Sequence, residues 1–292
     1  MSFRITPLTE TDAGRSSYRL AWLASDGDGH PVGSAFLRIF TTAGVDHLAE
    51  LEVNVHPAER RRGVGSTLMD AAAAGAQEAG RRSVMSVHVQ LDSPGERFLA
   101  ARGLRRVLAL TYTRLALVDA DIAALTAMVD TPHPGYRLVF WEGVVADELA
   151  ETFAASRRAM DDMPMDDTDY GTQVWDVERN RAAAEAVAKR GKILETVAAI
   201  SGDAIVGFTE LVIPGGGTGD AQHYGTGVLP EHRGHGLARW MKAASIHQAR
   251  LRHPDLGGLL ADTADSNTHR RGINDALGYR PTHRSAIYQL DL

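Results

Sequence analysis

Cysteine is absent from the chain. That excludes a disulfide framework, a thiolate zinc site and a covalent cysteine acyl-enzyme. Long apolar runs are absent too. Nothing approaches the roughly 18 uninterrupted apolar residues of a membrane-crossing helix, and the opening MSFRITPLTE has no hydrophobic signal core. A soluble, cytoplasmic protein without a membrane partner is expected. Positive charge is in deficit, with 31 Lys and Arg against 37 Asp and Glu and a formal net charge of -6. No global field draws a polyanion, so no nucleic-acid partner is expected, and the run Arg60-Arg61-Arg62 is read locally. No metal is expected either, because the pair His232 and His235 falls inside a glycine-containing loop of another kind.

What is present is length enough for two cores, since 292 residues exceed what a single core usually fills. An internal repeat divides the chain. Val55, Pro57, Arg60, Gly63 and Gly65 align at one constant offset with Val228, Pro230, Arg233, Gly236 and Ala238. Strands are predicted before each copy, over 32–40 and 49–55 in the first and over 196–200, 205–212 and 224–228 in the second. A helix is predicted after each: 66–79, stopped at Gly80, and a run through Leu237, Trp240, Met241, Ala244 and Leu251, stopped at Pro254. Further strands over 83–89 and 259–263 follow, each leading to a short helix that ends in Arg102-Gly103-Leu104 or Leu277-Gly278-Tyr279. The breaker cluster Thr131-Pro132-His133-Pro134-Gly135 places a domain boundary between residues 132 and 133. The domains 1–132 and 133–292 differ in one respect. The second has two predicted helices before its sheet, 145–160 and 174–190, joined by an acidic loop, whereas the first has too little chain before Tyr18 for such a pair. The glycine-rich stretch 214–219 reads as a hairpin loop.

An Arg-x-x-Gly-x-Gly/Ala loop between a strand and a helix suits a pyrophosphate. The first N–H groups of the helix have no intrahelical partner, and the helix dipole adds positive charge there. Glycine at 63 and 236 lets the phosphate approach the backbone, and small Gly65 or Ala238 lets the helix start close to the sheet.

Both segments resemble motif A of the GCN5-related N-acetyltransferases (GNAT), and the second half is similar to tandem members of the actinobacterial type. The residues that carry the likeness are His232-Arg233-Gly234-His235, Met241-Lys242, Ser266-Asn267, Ile273-Asn274 and Leu277-Gly278-Tyr279. The resemblance implies an α/β (α+β) fold of two consecutive GNAT-like domains. Each would be a mixed, mostly antiparallel sheet flanked by helices, the first truncated and non-catalytic. It implies acetyl-CoA (CoA) as cofactor, contacted by Val228, Arg233, Gly234, His235, Gly236, Leu237, Ala238 and Asn267 in the second domain. In the first domain the implied contacts are Val55, Arg60, Arg61, Arg62, Gly63, Val64 and Gly65.

By the same resemblance Val228 offers backbone groups to the thioester and its oxyanion. Many family members have a tyrosine acid four residues before the glycine of the Leu-Gly-aromatic motif; here Leu99 and Asn274 stand there. Leu99 is inert, and Asn274 can only hydrogen bond. Glu210, a carboxylate on an otherwise apolar central strand, is a candidate to deprotonate or bind the amine. Glu50 and Glu52 share one face of the first motif strand and read as a solvated face. The acidic residues 161–169 read as a solvated connection that is also able to steer a cationic amine.

The function expected is direct acetyl transfer to the primary amine of a small molecule. Two alternatives stay open: a regulatory module that binds acyl-CoA without turnover, and a tandem acetyltransferase similar to the mycothiol synthases. The oligomeric state, monomer or homodimer, is left open.

Overall fold

In the computed structural model, residues 3–8, 16–171 and 174–292 are described. Along the chain they form β1 (Arg4–Leu8), β2 (Ser17–Ser25), β3 (Pro31–Phe40), β4 (Leu48–Val55), α1 (Val64–Glu78), β5 (Ser83–Ser86), β6 (Val89–Gln90), α2 (Pro94–Ala101) and β7 (Arg105–Ala116). There follow α3 (Ile122–Asp130), β8 (Arg137–Glu142), α4 (Asp147–Ser156), α5 (Val177–Lys189), β9 (Lys192–Ser201), β10 (Ala204–Pro214) and β11 (Gly219–Val228). The chain ends with α6 (Leu237–Arg252), β12 (Leu256–Ala264), α7 (Thr268–Ala276) and β13 (Arg280–Asp291). Side-chain caps fix several helix starts. Ser93 Oγ accepts the Glu96 N–H at 3.2 Å with Pro94 in the first turn of α2, and Asp176 accepts the Arg179 N–H at 2.7 Å to start α5.

The chain divides into two compact units. The first comprises Met1–Ala109, Met165–Gln173 and Arg284–Leu292, and the second Leu110–Pro164 and Val174–His283. In the first unit the strand order is β1-β2-β3-β4-β5, antiparallel except for β4 with β5. The C-terminal part of β13 then adds to β5, Gln289 opposite Met85, and to β6, Ser285 opposite Gln90. The strand predicted over 83–89 is broken in two: β5 and β6 both pair with β13, in registers one residue apart. Leu68, Met69, Ala72 and Ala76 of α1 pack on Leu37, Ile39 and Leu51. Gly75 is required in α1, since a Cβ there would lie 2.8 Å from the Trp22 ring.

In the second unit the order is β12-β11-β10-β9-β8, antiparallel except for β11 with β12. The part of β7 from Leu110 onwards adds to β12, from Leu110 opposite Ala264 to Ala116 opposite Gly258. The core is built from Val197, Ile200, Ile205 and Phe208 of the sheet, Phe153 of α4 and Leu237, Trp240 and Met241 of α6.

The last strand of each half of the sequence, which the sequence pattern did not predict, therefore completes the sheet built mainly from the other half. The boundary expected at 132/133 lies between α3 and β8, both of which belong to the second unit. The helical pair expected before the second sheet is present as α4, continued by a 3-10 turn over Arg157–Met160, and α5. Among the described residues no helix stands between β1 and β2; residues 9–15 lie outside them.

Candidate functional site

The site in the second unit begins with an irregularity in β11. Glu210 of β10 faces Gly225, but its neighbour Leu211 faces His223, so Tyr224 is an extra, bulged residue. Pairing with β12 ends nearby, the last partners being Gln222 and Leu260. From His223 to Val228, β11 thus keeps β10 on one side and has lost β12 on the other. The Leu229 N–H donates to Val206 O at 2.9 Å and sets the phase of the antiparallel ladder. In that phase Val228 and Thr226 turn their backbone N–H and C=O away from β10, toward the side β12 has left. Both residues line a cleft of about 700 Å³ there, within the size range of ligand sites.

The cradle loop closes one end of this cleft. Gly234 and Gly236 have φ of 83° and 75°, so glycine is needed first for the backbone fold itself. Gly236 is the N-cap of α6, and its carbonyl accepts the Trp240 N–H at 3.0 Å. The N–H groups of Leu237, Ala238 and Arg239 stand in the first turn and need partners from outside the helix. Gly234, Gly236, Leu237 and Ala238 all line the cleft. Such a set of N–H groups at a helix start suits an anion.

Arg233 and Asn267, expected to contact CoA, have structural partners. The Arg233 Nε donates to Val228 O at 3.0 Å, and its two terminal nitrogens hold Asp162 at 2.5 and 2.8 Å. Asp162 belongs to the acidic connection expected to be solvated or to steer an amine; the guanidinium lowers its carboxyl pKa. The Asn267 Oδ1 accepts the Arg270 N–H at 3.1 Å and caps α7. His235 packs near Tyr136, with ring centres 5.4 Å apart.

Glu210 meets a different geometry from the one a free base requires. Its two oxygens accept from the Arg157 guanidinium at 2.5 and 2.7 Å, and both side chains are buried. Arg157 is further held by Asn180 Oδ1 at 2.8 Å and lies against the rings of Phe153, Trp175 and Phe208 at 4.6–4.7 Å. Trp175 is thereby part of this buried cation site.

The cleft floor carries two further cations that sequence reasoning did not assign. Lys242 of α6 is 3% exposed and donates from Nζ to Asn274 Oδ1 at 2.6 Å; Asn274 Nδ2 donates to Thr263 Oγ1 at 3.3 Å. Burial, and then the charge of Arg270, push Lys242 down to about 7, with Asp262 opposing. Arg270 donates to the free Thr226 carbonyl, and burial lowers its pKa. Beneath them Tyr279 is fully buried, its phenol raised by desolvation and bonded to His223 Nε2 at 2.7 Å. Burial holds His223 well below its usual range. The only sequence signal for Lys242 was its place in the Met241-Lys242 pair.

The first unit repeats the cradle without the bulge. From Ile39 opposite Ala49 to Gly33 opposite Val55, β3 and β4 pair in one register. Gly63 caps α1 at φ 90°, with Val64 and Gly65 following in its first turn, and Arg60 Nε donates to Val55 O at 3.2 Å, as Arg233 does to Val228. Arg61 stands at the offset of Gly234 and adopts φ 64°, a conformation that costs a side-chain-bearing residue roughly 1–2 kcal/mol. Arg62 is paired with Glu59 at 2.8 Å. A Cβ on Gly65 would lie 3.4 Å from the Phe98 ring, so an aromatic side chain packs over the start of α1. Glu50 and Glu52 line a separate hollow of about 150 Å³ with Arg19 and Arg38. Nearby Tyr170 is pushed up to about 12, first by burial and then by the charge of Glu50.

Comparison with known proteins agrees with this architecture. The profile of the Acetyltransferase (GNAT) family matches residues 4–104 and 157–279. A mycothiol acetyltransferase of Nocardia farcinica is 30% identical over 273 residues, covering 91% of this chain and 81% of its own length. One from Clavibacter michiganensis is 31% identical over 220 residues, or 75% of this chain and 64% of its own. Among solved structures, a tandem GNAT protein from the clavulanic acid biosynthesis pathway superposes with a TM-score of 0.76 at 25% identity, covering 96% of this chain and 84% of that one.

Proposed function

As this chain belongs to the Acetyltransferase (GNAT) family, we propose that its second unit holds acetyl-CoA and transfers the acetyl group to the primary amine of a small molecule. The observation that carries this reading is the open side of β11 beyond Gln222, where the backbone of Val228 faces the same cleft that the first turn of α6 enters. In this reading Gly234, Gly236, Leu237 and Ala238 cradle the pyrophosphate, and the Val228 N–H donates to the thioester oxygen as negative charge develops on it. Arg233 acts indirectly, bracing the end of β11 through Val228 O and tying the acidic connection to the cradle through Asp162. Glu210 and Arg157 form a buried strut behind β11 and take no proton from the amine.

The relatives suggest which amine to try first. Both are named for mycothiol, which favours the tandem alternative over a general amine acetyltransferase, so the unacetylated precursor of mycothiol is the first acceptor. Thiol release from acetyl-CoA, measured with that precursor and with a panel of other small amines, tests the reading. Acceleration by the precursor alone supports the narrower assignment. Tight CoA binding with no release for any amine would replace it with a binding module that lacks turnover.

A further inference from the structure

The position from which many relatives supply a tyrosine acid is held here by Asn274, whose amide has no proton to give a thiolate. Asn274 does something else. Its Oδ1 accepts Lys242 Nζ at 2.6 Å, so α6 and α7 together hold an amine at this point of the floor. Asn274 is sealed from the cleft, whereas Lys242 lines it. We propose that Lys242 is the catalytic acid of acetyl transfer, protonating the CoA sulfur as the thioester C–S bond breaks, with Asn274 as its positioning residue. The inference rests on the acetyl-CoA reading of the second unit.

Residue choice supports the assignment. The chain has 31 basic residues, and only Lys189, Lys192 and Lys242 are lysines. Arginine carries nearly all the other positive charge, but it does not release a proton near neutral pH, and a buried lysine does. The groups that face Nζ agree with that role. Arg270 from α7 repels the ammonium, Asp262 from β12 opposes that repulsion, and the Tyr279 ring lies 4.7 Å away. Tyr279 and His223 of β11 stay neutral around pH 7, the first raised and the second lowered by burial. At about 7, Lys242 is a stronger acid than a thiol, whose ordinary pKa is about 8.5.

The step balances. The amine nitrogen bonds to the acetyl carbon and loses a proton to solvent. The C–S electron pair passes to sulfur, which takes the proton from Nζ. Lys242 regains a proton from solvent before the next turnover.

With only three lysines, selective isotopic labelling at the lysine ε position gives a direct test on the full chain. One of the three resonances should titrate near 7 and disappear in Lys242→Met. In Asn274→Ala that titration should move. CoA should then shift the Lys242 resonance, and desulfo-CoA, which differs only in lacking the sulfur, should leave it nearly unmoved. Equal shifts from both ligands would overturn the assignment of Lys242. Failure of both ligands to bind would overturn the acetyl-CoA reading beneath it. In turnover, Lys242→Met should lower kcat by about 10²–10⁴ with KM for acetyl-CoA held within about threefold. Wild-type kcat should fall above pH 7. Lys242→Arg keeps the charge without a transferable proton and should be as slow as Lys242→Met; a rate near wild type would show that charge alone suffices and end the acid role.

Discussion

At the scale of single residues, the second unit is dominated by two buried cations with opposite kinds of partner. Arg157 is ion-paired with Glu210, whereas Lys242 donates its hydrogen bond to neutral Asn274. The difference has consequences for stability. Because the folded-state pKa of Lys242 is lowered to about 7, the unfolded chain binds the extra proton between there and the ordinary lysine value. Stability from this group is thus gained as pH rises through that window and lost below it, at most about 1.4 kcal/mol per pH unit. Thermal melts from pH 6 to 10 should show Lys242→Met more stable than wild type at the acid end, the gap closing toward pH 10; a gap independent of pH would show that Lys242 is not desolvated. The Arg157–Glu210 pair behaves differently. Removing one partner strands the other charge, a loss of about 3–5 kcal/mol, while replacing both by apolar residues restores most of it. Glu210→Gln should therefore melt early, and the double variant Arg157→Met with Glu210→Met should recover stability and retain acetyl transfer. A stable double variant without turnover would return Glu210 to the role of base.

At the scale of elements, the sequence showed the cradle and concealed the opening beside it. Arg-x-x-Gly-x-Gly/Ala is legible because φ near +75° to +90° at Gly63 and Gly236 admits little else, and because it occurs twice. The bulge at Tyr224 leaves no such mark, since Tyr224 resembles any strand residue and the shift exists only relative to β10. The Arg157–Glu210 pair is hidden for a related reason: the partners lie 53 positions apart and meet only once α4 is docked on the sheet. A carboxylate on an apolar strand announced the need for a partner without naming it. The cradle gives the prediction at this scale. Gly236→Asp in the full chain should abolish CoA binding measured by calorimetry, because a carboxylate at the N-cap repels the anion. Gly236→Ala should weaken binding far less, with a stability loss of about 1–2 kcal/mol from its positive φ. Equal affinity in Gly236→Asp and wild type would remove the pyrophosphate from this loop.

At the scale of the whole molecule, two copies of one sequence pattern have become two unlike units. Their end strands are exchanged, β7 contributing to the second sheet and β13 to the first, which sequence could not reveal because each strand reads equally well beside either sheet. Cutting at 132/133 would strip each sheet of a strand, so any test of the division of labour belongs on the intact chain. We expect catalysis in the second unit and a supporting role for the first. The second unit has the bulge, the α4–α5 pair and a buried amine at the cleft floor. The first has regular pairing in β4, too few residues between β1 and β2 for such a pair, Phe98 packed over Gly65, and inert Leu99. On this basis Arg60→Ala with Gly63→Asp should leave turnover largely intact, and Arg233→Ala with Gly236→Asp should remove it. Melting temperatures must be compared with and without saturating CoA, because ligand binding raises apparent stability by mass action and a lost ligand imitates a lost fold. Arg60 and Arg233 brace the same strand end in their own units, but Arg233 also holds Asp162, so turnover of each double variant is read only after its melt shows it folded. The decisive result is the first variant: if it is folded, binds acetyl-CoA at the second unit and still fails to acetylate, the first unit takes part in the chemistry and the division is wrong.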